Sequence, residues 1–266
     1  MRLLRAAVVF SLVSAGVAQA AATDTDWRDV ESRIQYAWYT EDARDLAVIA
    51  DQVTDLPPAL PLRSYYLALI ELHEAQLALR RASASASAAA GATAPAAGTT
   101  ALATVGQAAA ACISSADEAL AARPTDAEVL ALQSECMDLR SRTRSLDVPF
   151  AQTRSTAQMQ RALHLAPTNP RVQLLAAQLA YAEAKSTQQR AQLLATFQGA
   201  VDAFELERQG LERVPAWGGA EAWQGLAQIY LERGDAIAAR SALEHALLLM
   251  PDYASAHRLL NHIVRG

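Results

Sequence analysis

Residues 220–253 constrain the fold more than any other part of the chain. Trp223, Leu226, Ala227 and Tyr230 recur at helical spacing, and Gly234 and Asp235 follow them. Ile237, Ala239, Leu243, Ala246 and Leu247 then repeat the spacing, and Pro251 closes the stretch. Apolar residues three and four apart predict two amphipathic helices. Gly234 ends the first, because glycine takes a left-handed cap without a Cβ penalty. Asp235 is placed to accept from the first N–H groups of the second. Pro251 stops that helix, since proline cannot donate to the ladder. Ala227 and Ala239 are expected where the two helices touch, and larger side chains there would overpack the pair by about 1–3 kcal/mol.

These marks resemble the tetratricopeptide repeat (TPR). Its W-x2-L-G-x2-Y, A-x3-F and P pattern is written here as Trp223-x2-Leu226-Ala227-x2-Tyr230, Ala239-x3-Leu243 and Pro251. Going forward, residues 254–265 begin another first helix with His257 and Leu260 in register, an expected cap for the open apolar end of a stack. Going back, Met159, Ala162 and Pro167 match second-helix marks, and Pro170 opens the next first helix. Cys112, Ala116, Ala119 and Pro124 match an earlier second helix, and Leu130 and Met137 the first helix after it. The inferred first-helix starts at 127, 170, 220 and 254 are 43, 50 and 34 residues apart. The longest interval predicts a long second helix over about 187–213. The fold class expected is therefore all-α, an antiparallel helix-hairpin α-solenoid of TPR-like but irregular repeats over 101–266. Asn169-Pro170-Arg171 and Pro215-Ala216-Trp217-Gly218 also resemble a group of bacterial exported repeat proteins, although Lys185-Ser186-Thr187 replaces the glycine-rich turn expected between them.

The N-terminus carries Arg2 and Arg5, an apolar run over Ala6–Val17, and Ala18-Gln19-Ala20. That order predicts a secretory signal peptide over residues 1–22, cleaved after Ala20 or Ala22. A retained anchor is the other reading, though the run is short for spanning a bilayer. Export from a bacterial cell places the chain in the periplasm. Losing Arg2 and Arg5 leaves 21 of the 23 basic residues against 28 acidic ones and moves the formal charge from −5 to about −7. A mildly acidic chain without basic runs is a poor nucleic-acid binder. It also lacks a polybasic membrane-binding segment. Cys112 and Cys136 lie at equal distances either side of Pro124, so an antiparallel turn there puts them at similar heights. An oxidising compartment permits a disulfide between them, and two buried thiols are the alternative.

Residues 23–81 form a helical N-terminal segment. Trp27, Val30, Ile34, Tyr36 and Trp38 mark one helix, Leu46, Ile49 and Val53 a second, and Tyr65, Leu69, Leu72 and Leu79 a third. Leu56-Pro57-Pro58-Ala59-Leu60-Pro61 breaks the pattern between them. Residues 82–100 are low-complexity Ala, Ser, Gly and Thr and read as a linker or inserted loop at a lobe boundary. Residues 82–90 also read as an extension of the third helix, and the alternative to a lobe boundary is one continuous solenoid with a loose excursion between two helices of the same repeat.

No enzyme fingerprint emerges. His73-Glu74 opens an H-E-x-x-H pattern, but position 77 is leucine. No P-loop, dinucleotide or nucleophile-elbow motif occurs, so neither cofactor nor metal is expected. His164, His245, His257 and His262 read as surface or structural residues. The resemblance implies a groove lined by first helices that holds a protein or peptide partner. Its residues here are Arg171, Gln178 and Tyr181 in one repeat and Gln224, Gln228 and Glu232 in the next. Amide side chains can hydrogen-bond a peptide backbone in both directions. A protein-binding scaffold or adaptor is the expected function. The alternatives are an envelope enzyme or accessory subunit with its site in the N-terminal third, or a structural oligomer in which exposed Trp27 or Trp38 meets a second copy.

Overall fold

A computed structural model describes residues 26–89, 96–143, 148–210 and 214–265. Its described residues are entirely helical and irregular, with no strand. The leader expected over residues 1–22 lies outside the described residues. Capping chemistry sets the helix starts. Asp26 and Asp42 accept from two N–H groups each at the starts of α1 (Trp27–Tyr39) and α2 (Ala43–Thr54). Asp126 does the same for α5 (Ala127–Arg142), and Asn169 for α7 (Pro170–Glu183), where Pro170 occupies a first-turn position. Each such cap satisfies donors that have no partner within their own helix.

The low-complexity stretch is helical at both ends, as in the reading that extends the third helix over 82–90. Helix α3 (Arg63–Ala89) runs far into it, and α4 (Ala96–Ala122) starts within it, so only 90–95 fall outside the described residues. Alanine favours the helix strongly enough to override the compositional look of a linker. The two helices pack along their length rather than separating two lobes.

Contacts symmetric about each turn show antiparallel hairpins. Glu118 of α4 reaches Arg63, and a disulfide joins Cys112 to Cys136 of α5 with Cα atoms 6.1 Å apart. Ser134 of α5 donates to the Ser155 carbonyl of α6 (Val148–Leu165) at 2.7 Å. Tyr181 of α7 meets Phe197 edge-on, and Trp223 of α10 (Gly219–Glu232) stacks on His245 of α11 (Ala236–Leu249). Gly234 ends α10 with φ 77°, and Asp235 caps α11. Helix α12 (Ala254–Arg265) ends the array.

One expected helix divides. Instead of one run over 187–213, α8 (Thr187–Ala191) and α9 (Leu194–Arg208) are separated at Gln192-Leu193. Arg190 holds the short helix to α10 by an ion pair with Glu232 at 2.8 Å. Helices alternate in role: α1 touches α3, α3 touches α5, α5 touches α7 and α7 touches α10, besides each helix's contact with its hairpin partner. One apolar core runs from Ile34 to Ala256. The inner row α1–α3–α5–α7–α10 faces the interior where the candidate site lies.

Candidate functional site

The inner helices bring polar side chains together from residues far apart in sequence. On α1, Glu31 is 3 % exposed. It accepts from the Tyr66 hydroxyl of α3 at 2.7 Å, from Gln35 at 3.0 Å and from the Ala216 N–H at 2.9 Å. Trp217, next to Ala216, donates its indole N–H to the Tyr65 hydroxyl at 2.8 Å, and Tyr65 donates to Glu128 of α5 at 2.8 Å. Glu128 also accepts from Asn169 at 2.7 Å and from Arg171 Nε at 2.9 Å. The rest of the Arg171 guanidinium forms a two-point bond with Glu207 of α9, through Nη1 at 2.9 Å and Nη2 at 2.5 Å.

A second carboxylate, Glu221 at the start of α10, is buried opposite α1. It accepts from the Trp38 indole at 3.1 Å and from the Tyr39 hydroxyl. Tyr39 also meets Tyr253 edge-on, and Tyr253 donates to Gln224 at 3.0 Å. Trp38 is sandwiched by the His73 ring at 4.2 Å and the Arg80 guanidinium at 4.4 Å. Glu41, in the left-handed region at φ 60°, closes the circle by pairing with Arg80 of α3 and Arg258 of α12. The first hairpin is thus seated against the last helices as well as against α3.

Burial sets the electrostatics. It pushes the Glu31 and Glu221 carboxyls above the usual range, against the donors that favour their ionised forms. Burial also pushes His73 down to about 3, so its ring is neutral and serves as a flat stacking surface. The acceptors of Glu31, Glu128 and Glu221 are met by donors of the chain itself. The three carboxylates are thus members of one buried polar network. Two cavities flank it. One, of about 510 Å³, is lined by Glu31, Tyr39, Phe204, Gly218, Leu249 and Met250 among others. The other, of about 550 Å³, is lined by Leu62, Tyr65, Arg123, Glu128, Asn169 and Pro215 among others.

The six groove residues expected from sequence divide in two. Arg171 and Gln224 are buried, 4 % and 8 % exposed, and engaged within the chain, so neither is an exposed contact residue. Their neighbours in the network, Glu128, Glu207 and Tyr253, lie far away in sequence. Gln178, Tyr181, Gln228 and Glu232 are half-buried. Tyr181 donates to Glu232 at 3.0 Å, which ties α7 to α10. Trp38 is 3 % exposed, and Trp27 is half-buried and stacks on Tyr66. Sequence reading missed Glu31, Tyr65, Glu128 and Glu221. The available signal was a carboxylate or aromatic on a helix face otherwise apolar, which identifies a polar core but not its partners.

No helix among the described residues is long and apolar enough to cross a membrane. Compared with known proteins, the sequence matches no family model and no curated sequence.

Proposed function

We propose that this chain is a non-catalytic, exported helical-repeat protein that binds another protein at the cell envelope, with TPR-like hairpins as its repeating unit. The single observation that carries this reading is the recurrence of the inner helices. Inner helices α5, α7 and α10 begin at 127, 170 and 219 and the last helix α12 at 254, within one residue of the starts expected from the repeat register. Repeats of this kind stack side by side and offer an inner surface for a partner. Half-buried Gln178, Tyr181, Gln228 and Glu232 supply amide, hydroxyl and carboxylate groups on adjacent inner helices. The fully bonded state of Glu31, Glu128 and Glu221 favours binding over catalysis. The N-terminal leader, read as a signal peptide, supports a periplasmic location.

Affinity capture from envelope extracts tests this. The full chain is expected to retain a saturable protein partner. Tyr181→Ala with Gln228→Ala is expected to abolish retention while circular dichroism keeps the parent's helical content, with a lower melting temperature because the Tyr181–Glu232 bond is lost. Retention unchanged by the double variant would contradict the groove. An enzymatic reading draws on the 510 Å³ cavity between α1 and the α9–α10 segment, where buried Glu31 has a raised pKa. A substrate-like ligand whose binding is lost in Glu31→Gln would favour it.

A further inference from the structure

The cavity of about 510 Å³ beside α1 has two unlike walls. Its size falls within the range of ligand-binding clefts, roughly 300–1,000 Å³. One wall is a stripe of α1. Arg28, Ser32 and Gln35 stand at i, i+4 and i+7, which puts them on one helix face over about 10 Å. Arg28 and Ser32 are exposed, and Gln35 is half-buried. The other wall is aliphatic. Val214 precedes α10, and Leu249 and Met250 stand at the end of α11, all three half-buried. Tyr39 and Phe204 also line the cavity but are only 1 % and 3 % exposed.

The charges around it balance. Two guanidiniums, Arg28 and Arg208, and two carboxylates, Glu31 and Glu207, line it. Each carboxylate is met from inside the chain: Glu31 by Tyr66, Gln35 and Ala216, and Glu207 by both Nη groups of Arg171. A cation therefore finds no lining carboxylate without a donor, and an anion must approach two of them. A wholly apolar chain would strip water from the α1 stripe without replacing it. What fits is an uncharged ligand with one polar edge and one apolar side. The edge must both donate and accept. The Gln35 amide nitrogen donates to Glu31 and its carbonyl can accept, the Ser32 hydroxyl does both, and Arg28 only donates. An extended peptide backbone carries that mixture, and about 10 Å spans about three of its residues. A saccharide carries the mixture too, but its C–H face calls for an open aromatic ring, and burial closes off the rings of Tyr39 and Phe204.

We propose that this cleft is a binding site for an uncharged, extended peptide segment. Its backbone lies along Arg28, Ser32 and Gln35, and an apolar side chain meets Val214, Leu249 and Met250. The site rests on the partner-binding reading given above, lies apart from the Gln178–Glu232 groove, and adds the chemistry that a partner must present.

Amide chemical-shift titration of the full mature chain, isotope-labelled, tests this. The probes are acetyl-Ser-Leu-Ser-Leu-Ser-amide, the same peptide with asparagine for both leucines, the leucine peptide with its inner amides N-methylated, and maltotriose. The leucine peptide is expected to shift the signals of Ser32, Gln35 and Gly219 saturably. The asparagine and N-methylated peptides are expected to bind about threefold more weakly or worse, because one lacks the apolar contact and the other the backbone donors. Ser32→Ala, at an exposed position, is expected to weaken the leucine peptide roughly threefold, and Met250→Ala roughly fivefold. The site is overturned by an absence of saturable shifts at these residues, by equal binding of the leucine and asparagine peptides, or by binding indifferent to both variants. Maltotriose binding there while the leucine peptide does not bind overturns it as well and assigns the cleft to a saccharide. If Tyr181→Ala with Gln228→Ala still abolishes envelope-partner capture while no peptide binds the cleft, the partner-binding reading stands and the cleft alone falls.

Discussion

Buried ionisable residues carry the chemistry of this molecule, and each has a distinct energetic sign. Burial, reinforced by Asp138, pushes Glu135 up to about 8; burial pushes Glu71 up to about 7 against a hydrogen bond from Ser115. A carboxyl whose folded pKa is raised costs stability when both states are ionised, and that cost disappears as pH falls toward its unfolded value. The chain is therefore expected to melt higher at pH 5.5 than at pH 8.5. Glu135→Gln is expected to raise the melting temperature at pH 8.5 and to flatten the profile between those limits. Glu41 acts oppositely. Burial raises it, but Arg258 and Arg80 outweigh that and hold it below the usual range, so its contribution is lost only in stronger acid. Thermal melts across the pH series check both signs. Arg171 is the other residue with large leverage, since its removal leaves the half-buried Glu128 with its Tyr65 and Asn169 donors but without a counter-charge. Arg171→Ala is expected to cost about 3–5 kcal/mol in denaturant unfolding, as breaking a buried ion pair does.

At the scale of elements, helix–helix approach decides tolerance. A Cβ on Gly225 of α10 would collide with the ring of Phe197 on α9, lying 2.7 Å from Cδ1. Phe197 is 2 % exposed and has little room to retreat. Gly225→Ala is expected to destabilise by about 1–3 kcal/mol despite alanine's better helix propensity, a sign opposite to that at an exposed helical glycine. Urea unfolding of the variant reads this directly. Reducing the bond between Cys112 and Cys136 frees a segment with a sequence separation of 24 and is expected to cost roughly 3 kcal/mol. Melts with and without reductant measure it. Sequence reading located the starts of α5, α7, α10 and α12 because caps, prolines and apolar spacing are local signals. It missed the break at Leu193, since Gln192-Leu193-Leu194 contains neither proline nor glycine. It took 82–100 for a linker because composition alone does not reveal that α3 and α4 cover each other. Gly225 was illegible for the same reason: the ring it accommodates comes from another helix.

At the scale of the whole molecule, the sequence register predicts successive hairpins but says nothing about how far the array curves. Long-range side-chain pairs supply that. Trp38 and Tyr39 of α1 bond Glu221 of α10, Tyr39 meets Tyr253, and Glu41 reaches Arg258. The first hairpin therefore closes onto the last helices. Trp38 serves this closure, and Trp27 stacks on Tyr66 of α3. A double-mutant cycle on Tyr39→Phe and Glu221→Gln, followed by denaturant unfolding of the four proteins, tests the closure most directly. Residues that share a buried hydrogen bond are expected to couple by about 1–3 kcal/mol. Strictly additive effects of the two substitutions would mean that α1 does not sit against α10, and would contradict the account.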